Sequence, residues 1–372
     1  MTTNRREFVL GTLGMAVAAR LDAAAGMGQP AADAPNAETP YGSGHFGRWT
    51  EDEFGLPAFE YTCNHITDPL ASSPIKPGIL RPNEHVHQVG NDRITALASN
   101  YGHVRVRQDE GGPKILNDVD PEAHQYGGGI GYLTDGHETL STWYESSNPS
   151  FERIFGIGYF RKRVSSQKYA VDQVIWAPFG DDPVLVSQVK ITNHSDAPVD
   201  LTWAEYWGCQ PYQLSFRDSM EAGAAKTSIS ELRRVYGRRF THRISEIGAK
   251  AGLLDAKSFP GRTPEEETRW QGVKAYLKAH PSPFLSAVQD ERPGAWFDSG
   301  DIPQTFLVSL DAPADAYSTD AAAFFGFGGP TNPAGITSAL VNGPEAPGTQ
   351  GSLILARKFH LAPREERTLT FL

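Results

Sequence analysis

Only two cysteines, Cys63 and Cys209, occur among 372 residues. Two sulfurs across so long a loop are not a disulfide framework, although an exported protein could join them. Neither sits in a Cys-x-x-Cys pair, which removes the usual cysteine-based zinc and redox sites. Positive charge is short as well: the formal net charge is −10. That balance argues against nucleic acid or another polyanion as the main partner. No apolar run reaches the ~20 residues of a bilayer-spanning helix, so no membrane span is expected. The chemical signatures of several enzyme classes are missing too. Glycines cluster in "YGGGIGYL" (126–133) and "FGFGG" (325–329), without the spacing of a dinucleotide fingerprint or a phosphate-cradling P-loop. There is no Gly-x-Ser-x-Gly elbow and no His-Glu-x-x-His zinc motif.

What is present first is an address. "TNRREFVLG" pairs Arg5 with Arg6 ahead of Phe8 and Val9, and a weakly apolar Gly/Ala stretch runs to Ala19. Residues 1–25 resemble a twin-arginine export signal, with Ala23–Ala25 as the cleavage region, so a periplasmic or secreted location is expected. Residues 26–44 read as a linker rich in Ala, Pro and Gly.

From residue 45 onward, strand follows strand. In "DPVLVSQVKITN" (182–193), Leu185, Val189 and Ile191 fall on one face and Gln188 and Lys190 on the other. "NHSD" is a polar turn, and "APVDLTWAEYWG" (197–208) resumes extended structure with Leu201, Trp203 and Trp207 in phase. The two stretches together predict an antiparallel hairpin. "ERIFGIGYFRKRV" with "YAVDQVIWAP", and "SLILARKFHL" with "RTLTFL" across "APREE", predict further neighbouring strands. So many strands over about 300 residues call for two large packed sheets, an all-β antiparallel architecture. One region departs from this pattern. "TPEEETRWQGVKAYLKAH" has Thr263 as N-cap, Pro264 in the first turn and Glu266 three residues after the cap, with Trp270, Val273 and Leu277 at helical spacing. With "ISELRRVYGRRFTHRI" upstream as further helix or a long excursion, this predicts a helical insertion over about 218–280.

The arginines at 233, 234, 238, 239 and 243 are matched by Glu221, Glu231 and Glu246 and read as a solvated, salt-bridged face. "NEHVHQVGNDR" (83–93) is the most concentrated polar stretch. His85 and His87 project alike from a strand with Glu84 beside them, but no third ligand stands at a metal-site spacing, so no metal is assigned. A polar strand end reaching a ligand or a subunit boundary is the favoured reading. If the ligand is a sugar, Trp143, Tyr144, Trp203, Trp207 and Trp296 are the aromatic candidates, set against their ordinary place in a sandwich core. The candidate carbohydrate-binding set is therefore His87, Asn91, Arg93, Trp143 and Trp207.

Four stretches are similar, in order, to the amino-terminal domain of glycoside hydrolase family 94, the cellobiose and chitobiose phosphorylase group. They are "GNDRITALASNYGHVRV", "IWAPFGDDPVLVSQVKITNHSDAPVDLTWAEYWGC", "YSTDAAAFFGFGGPTNPAGI" and "LARKFHLAPREERTLTFL". This domain was long described as a glycosyltransferase 36 associated module. The resemblance implies a galactose-mutarotase-like supersandwich over 45–372, with the Phe-Phe-Gly stretch as an architectural bend. It also implies a carbohydrate-binding, accessory role in a phosphorylase-like enzyme. The family's reaction is inverting phosphorolysis, with inorganic phosphate as co-substrate and no cofactor. Its acid and phosphate pocket belong to an (α/α)6 barrel that these residues do not include, so no catalytic residue is carried over and no phosphorolysis is expected of this chain alone. Expected partners are an oligosaccharide or glycan, a second copy in a homodimer, and a separately encoded barrel. A free-standing exported glycan-binding module and a dimerisation scaffold remain the alternatives.

Overall fold

A computed structural model describes residues 47–62, 84–108, 114–120, 124–144, 150–209, 212–213, 239–247, 251–259, 305–338 and 351–372, with the isolated positions 264, 268, 275 and 279. The export segment 1–25, the linker 26–44, Cys63 and Trp296 lie outside these residues. The fold is all-β and is built on two large antiparallel sheets. The seven-stranded sheet begins with β1 (Gly47–Glu51) and β2 (Pro57–Tyr61). It continues through Glu152–Gly156, Tyr159–Ser165, Tyr169–Trp176 and Val186–Asn193 to Glu366–Phe371. The ten-stranded sheet carries β3 (Val86–Gly90) and β4 (Thr95–Ser99) beside Val104–Gln108. It is centred on Gly128–Thr134, Val199–Gly208 and Gly351–Leu361.

Alternation decides which side chains meet between the sheets. Along Tyr169–Trp176, residues 169, 171, 173 and 175 are buried and their neighbours are not; Phe160, Lys162 and Val164 do the same one strand over. Leu185, Val189 and Ile191 are buried while Gln188 and Lys190 are exposed, as the two-residue period requires. The opposing sheet contributes Leu133, Leu201, Trp203, Trp207, Leu353 and Leu355 to the same core. Trp203 fits only because Gly131 faces it, since a Cβ on Gly131 would lie 1.8 Å from the indole.

The expected hairpin across "NHSD" does not form. Val186–Asn193 pairs with Tyr169–Trp176 and Glu366–Phe371 in one sheet, whereas Val199–Gly208 pairs with Gly128–Thr134 and Gly351–Leu361 in the other. Both stretches are central strands, so each takes two partners of its own and the turn becomes a corner between layers. "APREE" is a second such corner, joining Gly351–Leu361 to Glu366–Phe371. The two corners are tied together. Asn193 Nδ2 donates to the Ala197 and Ala362 carbonyls at 2.9 and 3.0 Å, and Arg364, in the left-handed region at φ 63°, pairs with Asp196 at 2.8 Å.

Within 218–280 the helical expectation needs correction. Arg239–Ile247 and Ala251–Phe259 are antiparallel strands, joined by Thr305–Val308 in a three-stranded sheet. "RFTHRISEI" places Thr241 and Ile244 among residues that favour a pleated surface, and pairing with a second strand outweighs the weaker helical spacing. Pro264, Thr268, Ala275 and Ala279 are helical, and the Thr268 hydroxyl donates to the Pro264 carbonyl at 2.8 Å.

The Phe-Phe-Gly stretch packs on the far side of the ten-stranded sheet. Asp320 caps the short helix α1 (Ala321–Phe325), accepting the Ala323 N–H at 3.0 Å. Phe324 and Phe325 are buried against Tyr126, Tyr132 and Tyr206. Gly335 lets the next short helix, α2 (Gly335–Ser338), close on Phe324, because a Cβ there would stand 2.6 Å from the Phe324 Cα. This stretch is a packed bend.

Candidate functional site: an aromatic groove at the sheet edge

The two sheets part at the edge made by β1, β2 and β3, leaving a groove of about 400 Å³. It is lined by Trp49, Pro57, Phe59, Tyr61, His85, Val86, His87, Phe155, Gly156 and Ile157. Register explains why aromatic rings gather here. Trp49 pairs with Phe59, Phe59 with Phe155, and Phe155 with Phe160, so one cross-strand row of rings runs from the edge into the core. Phe160 is fully buried; Trp49, on the edge strand, is 74% exposed. Trp49 meets Phe59 edge-on, with centroids 5.3 Å apart and planes at 72°. With most of its surface exposed, the Trp49 indole keeps apolar ring area open to solvent.

The polar groups of the groove come from β2, from β3 and from His85 just before β3. The Tyr61 hydroxyl lies 2.9 Å from His85 Nδ1 and accepts from Asn100 Nδ2 at 3.2 Å. The Asn100 side chain also accepts the His85 backbone N–H at 3.0 Å, so one amide positions both groups. Behind Tyr61, the buried Arg153 guanidinium lies 4.7 Å from its ring and 3.9 Å from that of Tyr144, and it donates to the Asn100 carbonyl at 2.9 Å. His87 stacks on Phe155, with centroids 5.4 Å apart and planes at 25°, and its Nε2 lies 2.8 Å from the Gly156 carbonyl. Burial moves both imidazoles below the ordinary histidine range, so at neutral pH they are uncharged.

Glu84 does not join the histidines. It pairs with His103 Nε2 at 3.1 Å and with Arg105 at 3.4 Å, and its side chain is buried. Burial raises its pKa, but His103 and Arg105 outweigh that and hold it at about 2.

The other sequence-derived candidates disperse. Of His87, Asn91, Arg93, Trp143 and Trp207, only His87 lines the groove. Asn91 closes a turn: its side-chain oxygen accepts the backbone N–H groups of Arg93 and Ile94, and its amide donates to the Pro178 and Asp182 carbonyls. Trp143 is buried and stacks on His103 at 5.5 Å. Trp207 is buried, and its indole N–H donates to Glu205 at 3.1 Å. Cys209 is buried too, with its thiol pushed up to about 12.

Sequence reasoning missed Trp49, Phe59, Tyr61 and Phe155. The signal was slight: "PAFEY" sets two aromatic rings two residues apart, on one face of a strand. What turns them into a site is their alignment with Phe155, about a hundred residues away, which only the pairing of strands supplies.

No family model matches the chain, and no curated protein matches it. Solved structures with some likeness include a protein assigned as a kojibiose phosphorylase from the human microbiome, at 10% identity and TM-score 0.33. It is matched over 76% of this chain and 29% of its own. A polysaccharide lyase is 13% identical at TM-score 0.31, over 79% of this chain and 32% of its own. A 4-alpha-glucanotransferase from Thermococcus litoralis is 10% identical at TM-score 0.26, over 78% and 40%. This chain thus spans well under half the length of each. Likenesses this weak carry no weight for activity.

Proposed function

We propose that this chain is a carbohydrate-binding sandwich unit of a glycoside-phosphorylase-like enzyme, and that the aromatic groove is its saccharide seat. The observation that carries this reading is the exposed Trp49 ring at the head of a ring-lined groove, with two neutral imidazoles alongside. A pyranose presents C–H bonds to a flat ring and hydroxyls to polar groups at its rim, and a groove of this volume is of small-ligand size. Among the described lining residues there is no carboxylate. The groove therefore offers stacking and hydrogen bonding without an acid–base pair, in keeping with an accessory role. The stretches that resemble family 94 support the phosphorylase side of the reading, and the Arg5–Arg6 segment supports export.

The test is titration of the purified chain with cello-oligosaccharides and other neutral glycans, followed by calorimetry and by tryptophan fluorescence. Saturable binding that W49A abolishes is expected. Absence of binding across the panel, or binding indifferent to W49A, overturns the proposal.

A further inference from the structure

Resting on the saccharide reading of the groove, we infer that the site selects uncharged hydroxyl-bearing pyranosides over uronic acids, with His87 Nδ1 as the acceptor for one sugar hydroxyl.

The hydrogen-bond pattern dictates the role of His87. A carbonyl can only accept, so the 2.8 Å contact with Gly156 requires the proton on Nε2. In a neutral ring Nδ1 is then a bare acceptor. The other contact of His87 is ring stacking on Phe155, which occupies a face and leaves the nitrogen edge alone. His87 is half-buried and lines the groove, and among the described residues its Nδ1 makes no hydrogen bond. A rigid acceptor among aromatic rings suits a hydroxyl, which donates, and opposes a carboxylate, which can only accept.

The lining reinforces this. No Asp, Glu, Lys or Arg is among the described lining residues, and the nearby Arg153 is sealed behind Tyr61 and committed to the Asn100 carbonyl. A carboxylate entering such a groove would lose water without gaining a cation. A neutral ring loses less and recovers it through Trp49, Phe59 and His87.

The experiment compares methyl hexopyranosides (gluco, galacto and manno) with the corresponding methyl glucuronide and galacturonide, using ligand-observed NMR and fluorescence. The protein is wild type, W49A, H87F or H87N. Phenylalanine retains the stack on Phe155 and removes the acceptor; asparagine returns an oxygen near the Nδ1 position. A neutral glycoside is expected to bind wild type about tenfold or more better than its uronide, and H87F about five- to tenfold worse than wild type. H87N should recover most of that loss. In a monodeoxy series, removal of one hydroxyl should weaken wild type and leave H87F unchanged. Equal binding of uronides, or an H87F protein that binds and discriminates like wild type, overturns the inference while W49A sensitivity leaves the saccharide reading standing. If no sugar binds wild type, both fall together.

Discussion

Two neighbouring rows of one sheet face end in opposite ways. The first runs Trp49, Phe59, Phe155, Phe160, Ile175; the second, two residues along each strand, runs Tyr61, Arg153, Lys162, Gln173, Val189. The aromatic row opens to solvent at the edge strand, whereas Arg153, Lys162 and Gln173 are wholly buried. Between these two rows, the polar and charged side chains lie inside and the aromatic row reaches the mouth. The reason is partnership. Lys162 Nζ donates to the Gly102 and Gly129 carbonyls and to Thr142 Oγ1, and Thr142 in turn donates to Gln173 at 2.8 Å. Gln173 reaches Ser187 and Glu205, and Glu205 accepts both the Trp203 and Trp207 indole N–H groups at 3.1 Å. A buried polar chain is tolerable only when each member is satisfied, and this one cross-links the two sheets. The groove row has no such chain, so its open rings remain available to a ligand. In these two rows the buried charge belongs to the architecture and the exposed ring of Trp49 to the candidate site.

The strongest way to break this contrast is K162M. It leaves Glu205 buried, its pKa already raised to about 7 by desolvation, and should destabilise the fold by roughly 3–5 kcal/mol in urea unfolding. A loss under 1 kcal/mol would show that the interior chain is dispensable. Glu84 sharpens the boundary between the regions. Its folded pKa of about 2 lies below the ordinary 4.5, so its contribution is full above pH 4.5 and is lost as pH falls through 2. That contribution amounts to roughly 3 kcal/mol. E84Q should flatten the stability profile between pH 4.5 and 2, and an unchanged slope there would contradict the pairing with His103. G131A, which drives a methyl into the Trp203 ring, should cost about 1–3 kcal/mol by calorimetric melting; a wild-type Tm would contradict the packing. W49A is the smallest for stability, within about 0.5 kcal/mol for so exposed a side chain, although it should be the largest for saccharide binding. A W49A protein that melts many degrees lower would make Trp49 a structural residue.

Much of the fold was legible because a buried strand writes itself in alternation. "YAVDQVIW" and "YFRKRVS" state their inward residues directly, and even Lys162 and Gln173 keep the phase. Which sheet a strand joins was not legible. "NHSD" looks like a hairpin turn, and nothing local separates a turn between paired strands from a corner between layers. The site was less legible still. His87 stood out because polar residues are concentrated around it, but Trp143 and Trp207 attracted attention by residue type alone, and type does not report burial.

By itself, the sequence determined the all-β class and the inward-facing positions of most strands, since these depend on near neighbours along the chain. Tertiary structure alone decided that Phe59 and Phe155 share a row, that Trp49 closes it at an open edge, and that Lys162 and Glu205 serve one sealed chain. Strand register sets those relations, and register is fixed by packing between residues far apart in sequence.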